Sequence, residues 1–162
     1  MFRTHGKIYE ASASQMFGVP IEKIKKGHPE YALRAKGKVA ELALGYQGGP
    51  GALINMGALS MGLTEEELPS IVQMWRDANS RIRDLWYAVD EAAQYTITTG
   101  RQRVVRCLTF AMEYDHANGR SVMSVLLPSG RKLFYQNARI GVNRFGNPSI
   151  VYSGVNQTTK KW

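Results

Sequence analysis

The sequence predicts an α+β fold, helical from about residue 6 to 95 and then a small antiparallel sheet. Through the first part, apolar residues recur every three or four positions. Ile71, Trp75, Ala78, Ile82, Leu85, Val89 and Ala92 are the longest such series, the period of a one-sided helix. From Leu108 the period becomes two: Leu108, Phe110, Met112 and Tyr114 alternate with Thr109, Ala111 and Glu113, and Asn118-Gly119 then offers hairpin-turn chemistry. With 162 residues, 44% of them hydrophobic, the chain can bury one core, or one and a small satellite.

In chain order, a first helix is expected from about Tyr9 to Phe17, ended by Gly18-Val19-Pro20. A short helix or turn follows at Ile21 to Lys26, and Gly27-His28-Pro29 breaks it. A second long helix spans about 30–45, starting near Glu30 or Tyr31 and giving way near Leu44. Gly37 inside it costs about 1 kcal/mol relative to alanine, so it implies either simple tolerance or the close approach of a neighbour or of nucleic acid. Gly45 to Gly51 is a helix-terminating loop, without the order of a phosphate loop. Leu53 to Met61 makes a short apolar helix ending at Gly62. Thr64 and Glu67 then form a capping box for a helix continuing to about Tyr95. In that helix Trp75 and Trp86, eleven residues apart, share a core face, leaving Arg76, Arg81 and Arg83 to solvent or to a phosphate backbone. Strands are expected from Thr96 on: the alternating run, Ser121 to Leu127 after Asn118-Gly119, and Arg131 to Tyr135 after the turn Pro128-Ser129-Gly130. The domain division expected is 1–95, helical, and 96–162, strand-rich.

Arg34, Lys38, Leu42 and Tyr46 are spaced by four, which on a helix makes one drifting stripe about 18 Å long. It runs cation, cation, apolar, aromatic. That order suits a nucleoside triphosphate lying along the helix, phosphates on Arg34 and Lys38, sugar and base toward Leu42 and Tyr46.

These residues resemble the fingers helix of family A DNA polymerases, the polymerase-I-like enzymes, with the phage branch nearest in likeness. The family's motif has Arg, Lys four residues on, an aromatic at the next step of four, then Tyr and Gly. Here it reads Arg34, Lys38, Leu42, Tyr46 and Gln47-Gly48. Upstream, Gly6-Lys7-Ile8-Tyr9 and Ala11 through Pro20 resemble the family's D-I-H-x-x-T-A segment and its F-G-x-P continuation. Downstream the likeness reaches Leu127-Pro128-Ser129-Gly130-Arg131. It implies a helical fingers subdomain with adjoining palm strands, incoming dNTP held by Arg34, Lys38, Leu42, Tyr46 and Tyr9, and primer-template DNA approached by Arg131 and Lys132. Tyr9 stands where the family often has His, and Leu42 where it has Phe or Tyr. The likeness also implies Mg²⁺ in the parent enzyme, held by two palm aspartates in D-x-S-x-x-E and H-D-E motifs. Neither motif occurs in this sequence.

Two-metal phosphoryl transfer requires such bridging carboxylates. Asp90-Glu91 superficially matches H-D-E but sits in the helical series, on a solvated face. The chain therefore reads as a polymerase fragment, inactive alone, without catalytic or metal-binding residues of its own and needing the missing palm portion as partner. The alternative is a non-catalytic DNA-binding or other nucleic-acid-binding protein derived from a polymerase fold. A net charge of +8 favours a polyanionic partner under either reading. The single cysteine, Cys107, excludes an internal disulfide and reads as a buried small hydrophobe. His5, His28 and His116 lack metal-ligand spacing. No apolar run approaches the roughly 20 residues of a bilayer span, and the first residues form no signal peptide, so a cytoplasmic location is expected.

Overall fold

A computed structural model of the chain describes residues 6–116, 119–143, 145–156 and 158–161. Asn118 of the expected hairpin turn, His5 and Trp162 lie outside them. Two compact units divide the chain, Met1–Asp84 and Leu85–Trp162. The boundary falls inside a helix, ahead of the change from helix to strand on which the division at 95/96 was drawn.

The first unit is helical. α1 spans Ile8–Phe17, α2 Leu33–Leu44, α3 Pro50–Asn55 and α4 Leu68–Ala78. Single 3₁₀ turns stand at Ile21–Lys23, Pro29–Ala32 and Leu59–Met61. Val39, Ala40 and Leu44 of α2 bury with Leu53, Leu68, Ile71, Val72 and Trp75. Burial of that apolar stripe is what stabilises helices this short. Three polar contacts fix the arrangement: the Trp75 indole Nε1–H donates to Glu41 Oε2 at 3.1 Å, Arg76 Nη2 donates to the Gly48 carbonyl at 3.2 Å, and Lys36 lies 3.6 Å from Glu67. Arg76 is thus committed to the fold rather than solvated. Arg83 pairs with Asp77 and Asp84.

Gly37 marks where α1 crosses α2. A Cβ there would run into the Tyr9 carbonyl oxygen and come within 2.9 Å of both the Ala13 methyl and its amide nitrogen. Of the two readings of this glycine, the close approach of a neighbour accounts for it.

The second unit begins within α5, Ser80–Thr99, and continues as a five-stranded antiparallel meander. Its strands are β1 Arg103–Val105, β2 Leu108–Asp115, β3 Arg120–Leu126, β4 Lys132–Val142 and β5 Pro148–Ser153, in that spatial order. Ala92 and Ala93 pack on Phe110, Met123, Val125 and Ala138. Strand partners share a face, so Phe110↔Val125 and Met112↔Met123 define the face turned to the helix. A bulge between Gln136 and Arg139, with Asn137 at φ 51°, shifts the β4–β5 register.

Several expectations are corrected. The long helix ending near Tyr95 is two helices: Asn79 leaves helical geometry and its side-chain amide caps the Trp75 carbonyl at 3.0 Å. Trp75 and Trp86 therefore do not share one helix face. Strands do not begin at Thr96. Its β-branched run reads as strand, yet Thr96 extends the buried Ala92–Ala93 face, and α5 ends only at Gly100, φ +70°. The Leu53–Met61 helix is interrupted at Gly57, φ +83°. Thr64 and Glu67 make one half of a capping box, the Thr64 N–H donating to Glu67 at 2.9 Å, and α4 starts after them. Cys107 is exposed, because Arg106-Cys107 forms the two-residue β1–β2 turn with Arg106 at φ 52°. β4 runs beyond Tyr135 to Val142, and β5 was not foreseen.

Candidate functional site

α2 presents both cations of the stripe. Arg34 and Lys38, one turn apart, line an open hollow of about 380 Å³ with Tyr31, Ala32, Ala35 and Met61. The α1–α2 crossing brings two residues of α1 against Arg34. Glu10 Oε1 accepts from Arg34 Nε at 2.8 Å, and the guanidinium carbon lies 5.3 Å from the centre of the Tyr9 ring, a cation–π contact. Arg34 is thereby held at one edge and on one face, while neither terminal nitrogen has a hydrogen-bond partner among the described residues. Lys38 is exposed and forms no ion pair with any described residue.

Charge follows from this arrangement. Burial acts to raise the Glu10 carboxyl, but its own backbone N–H and Arg34 outweigh that and hold it below its ordinary value. The hydrogen bond to Glu10 in turn raises Arg34. A guanidinium with a free terminal fork beside an ammonium can receive a polyanion, the guanidinium in a bidentate manner and the ammonium as a point charge.

The rest of the stripe departs from expectation. α2 ends at Leu44, so Tyr46 lies in the following turn rather than on the helix, and it is 92% exposed. Leu42 is 42% exposed. Neither borders the hollow. The structure thus brings together Tyr9, Arg34 and Lys38 and leaves Leu42 and Tyr46 apart from them. Glu10, Tyr31 and Met61 were missed. Tyr31 stands three residues before Arg34 and could have been found as its neighbour by spacing. Glu10 and Met61 reach the site from other elements and left no local signal.

In the second unit Arg131 is exposed at the β3–β4 turn, its Nε 3.4 Å from Ser129 Oγ. Lys132 donates to Glu113 Oε1 at 2.6 Å, and Ser124 Oγ donates to the same carboxylate oxygen. Lys132, then Ser124, hold Glu113 below its usual range. Lys132 is therefore already paired.

Asp90 and Glu91 are exposed on α5, Asp90 accepting from Gln94 at 2.7 Å, as a solvated helix face requires. Among the described residues no three His, Cys, Asp or Glu side chains converge as a metal site would need. No helix among the described residues is long and apolar enough to cross a membrane.

No family model matches the chain, and no solved structure matches it. Among curated proteins it is similar to one from Bacillus phage SP02 named DNA polymerase, 52% identical over 155 residues, which are 95% of this chain. The chain spans 23% of that relative's length.

Proposed function

We propose that the chain is a piece of a family A DNA polymerase, the fingers region with adjoining palm strands, and that α2 is its incoming-dNTP helix. The observation that carries this reading is the hollow flanked by Arg34 and Lys38, with Arg34 oriented from α1 and its terminal nitrogens without a hydrogen-bond partner among the described residues. The 52% identity to a phage protein named DNA polymerase supports it.

In this reading Arg34 takes the outer phosphates through its planar fork and Lys38 neutralises charge nearer the sugar. Tyr9 serves as a platform under Arg34. Leu42 and Tyr46, both exposed, are left for the sugar and base. The Mg²⁺ ions that activate the attacking hydroxyl and neutralise the leaving group would be held by palm carboxylates elsewhere in the parent enzyme. This chain's part is binding and orientation, and primer-template DNA and the palm are its partners.

The test is a ¹⁵N amide NMR titration of the chain with a deoxynucleoside triphosphate. Saturable shifts at Arg34, Lys38 and their neighbours, lost in Arg34→Ala/Lys38→Ala, are expected. Dispersed spectra that ignore the nucleotide, together with DNA binding that survives loss of both cations, would replace this reading with that of a non-catalytic DNA-binding relative.

A further inference from the structure

The meander is an open sheet, so β1 and β5 each have one edge without a strand neighbour among the described residues. β1 is defended as edge strands usually are: it is three residues long and opens on Arg103. β5 is not. Its six residues, Pro148-Ser149-Ile150-Val151-Tyr152-Ser153, carry no charge, and the proline blocks only the start of the strand. Tyr152 is 53% exposed, yet its ring meets Tyr135 edge-on at 5.1 Å, and Ile150 packs on the core formed with Ala92 and Ala93. Both therefore stand on the helix-covered face of the sheet, at an unfinished border.

Hydrogen-bond alternation tells which backbone groups of β5 are unused. The Asn143 N–H donates to the Asn147 carbonyl at 2.9 Å, so those two residues are a bonded pair. Every second pair along an antiparallel ladder is bonded, which makes Gly141↔Ser149 and Arg139↔Val151 bonded as well and turns the groups of Ser149 and Val151 toward β4. Those of Ile150 and Tyr152 point away from the sheet, and by the same alternation so do those of Gly154 and Asn156. Asn156 already has a partner on that side. Its N–H donates to the Lys161 carbonyl at 2.7 Å, its own carbonyl accepts from the Lys160 N–H at 2.8 Å, and its Oδ1 accepts from the Thr158 and Thr159 N–H groups at 2.9 Å. Lys160, at φ 56°, closes the reversal. The segment is a hairpin loop, and the Asn156–Lys161 bond is the first rung of a ladder on the free side of β5.

We propose that the outer edge of β5 is a strand-docking edge, taken by an extended segment of the longer polypeptide that runs back from Lys161, antiparallel to β5, as a sixth strand of the sheet. The occupant rests on the reading of the chain as a piece of a longer polymerase; the edge and its register rest on the hydrogen bonds alone. Continued from the first rung, the ladder pairs Gly154, Tyr152 and Ile150 with the residues two, four and six positions beyond Lys161. Strand partners share a face, so those three residues are apolar and complete the border left open at Tyr152.

The test is amide hydrogen exchange, read by NMR, on the chain extended after Trp162 by Val-Thr-Val-Thr-Val-Thr, which sets valines opposite Gly154, Tyr152 and Ile150. The chain itself and the chain extended by Gly-Ser-Gly-Ser-Gly-Ser are the comparisons. In the unextended chain the Ile150 and Tyr152 amides should exchange faster than those of Ser149 and Val151, which bond β4. The Val-Thr extension should slow both by about tenfold or more, the equivalent of one net hydrogen bond each, and the Gly-Ser extension should leave them nearly unchanged. No slowing under the Val-Thr extension, or equal slowing under both, overturns the proposal. Slow exchange of both amides in the unextended chain also overturns it, in favour of a second copy where the protection rises with protein concentration. Exchange at β5 is read without nucleotide, and the nucleotide titration reads α2, so either proposal can fail alone.

Discussion

Gly37→Ala should destabilise the helical unit even though alanine is the better helix former. The added methyl would run into the Tyr9 carbonyl oxygen and sit 2.9 Å from Ala13 Cβ, where ordinary contact begins near 3.4 Å. Neither obstacle can rotate away: one is main chain, the other a methyl on a fully buried residue. Relief requires α1 to move off α2. Overpacking of this kind costs about 1–3 kcal/mol, and rigid obstacles put Gly37 near the upper end, about 3 kcal/mol. Helix propensity returns about 1 kcal/mol, leaving a net loss of about 2 kcal/mol. At a urea dependence of about 1–3 kcal/mol per molar, the unfolding midpoint falls by roughly 1 M. Urea denaturation followed by circular dichroism at helix wavelengths reads it. Gly51→Ala is the matched control, because nothing lies within 4 Å of a Cβ there, and it should hold or raise the midpoint. A Gly37→Ala midpoint equal to that of Gly51→Ala would refute the close crossing and, with it, the contact of Tyr9 and Glu10 with Arg34.

Two further outcomes are expected. Thr96 is fully buried on α5 and its Oγ1 has no hydrogen-bond partner among the described residues. Thr96→Val removes that unsatisfied group at nearly constant shape and should stabilise by about 1 kcal/mol, measured as a raised thermal midpoint; a loss of more than about 1 kcal/mol would mean that the hydroxyl has a partner in solution. Acid should weaken the α1–α2 crossing. The folded Glu10 carboxyl lies below its ordinary value of 4.5, so its stabilisation is present above that value and is lost as pH falls through the lowered folded one. Glu10→Gln should flatten the acid limb of a stability–pH profile and leave the neutral plateau shape unchanged, and an unaltered acid limb would count against the pair.

The fold was legible where a single period ran unopposed. α2 and β2 announce themselves because burial on one face dictates the spacing of Val39, Ala40, Ala43 and Leu44 in the one and of Phe110 and its neighbours in the other. Legibility failed where tertiary packing overrode local preference. Thr96-Ile97-Thr98-Thr99 would favour a strand, but the face begun by Ala92 and Ala93 keeps it helical. The break at Asn79 was hidden because the apolar period continues across it, and a side-chain cap, not a proline or glycine, makes the stop. Cys107 was misplaced because an apolar neighbourhood in sequence became a turn in space. At the candidate site the two cations were readable from spacing alone. Glu10 was not, because nothing local says which helix crosses which.

The crossing at Gly37 ties fold to site. Arg34 lies one turn before Gly37 on α2, and the residue whose carbonyl oxygen occupies the space over Gly37 is Tyr9, the residue whose ring lies against Arg34. The glycine and the tyrosine are therefore parts of one contact. A histidine at position 9 could donate a hydrogen bond to a phosphate directly, and a tyrosine can do so through its phenolic O–H while its ring also lies against Arg34. In the proposed reading, that ring orients the fork, with Glu10 completing its support from the Nε edge. The carboxylate also carries a cost for anion binding, since it lies beside the place where phosphates would sit. Glu10→Gln keeps a carbonyl acceptor for Nε and removes the charge, so triphosphate affinity should rise in that variant while Glu10→Ala, which removes the support as well, should bind more weakly than Glu10→Gln. Equal affinities in the two variants would mean that Glu10 contributes charge alone and that Arg34 needs no support from that edge.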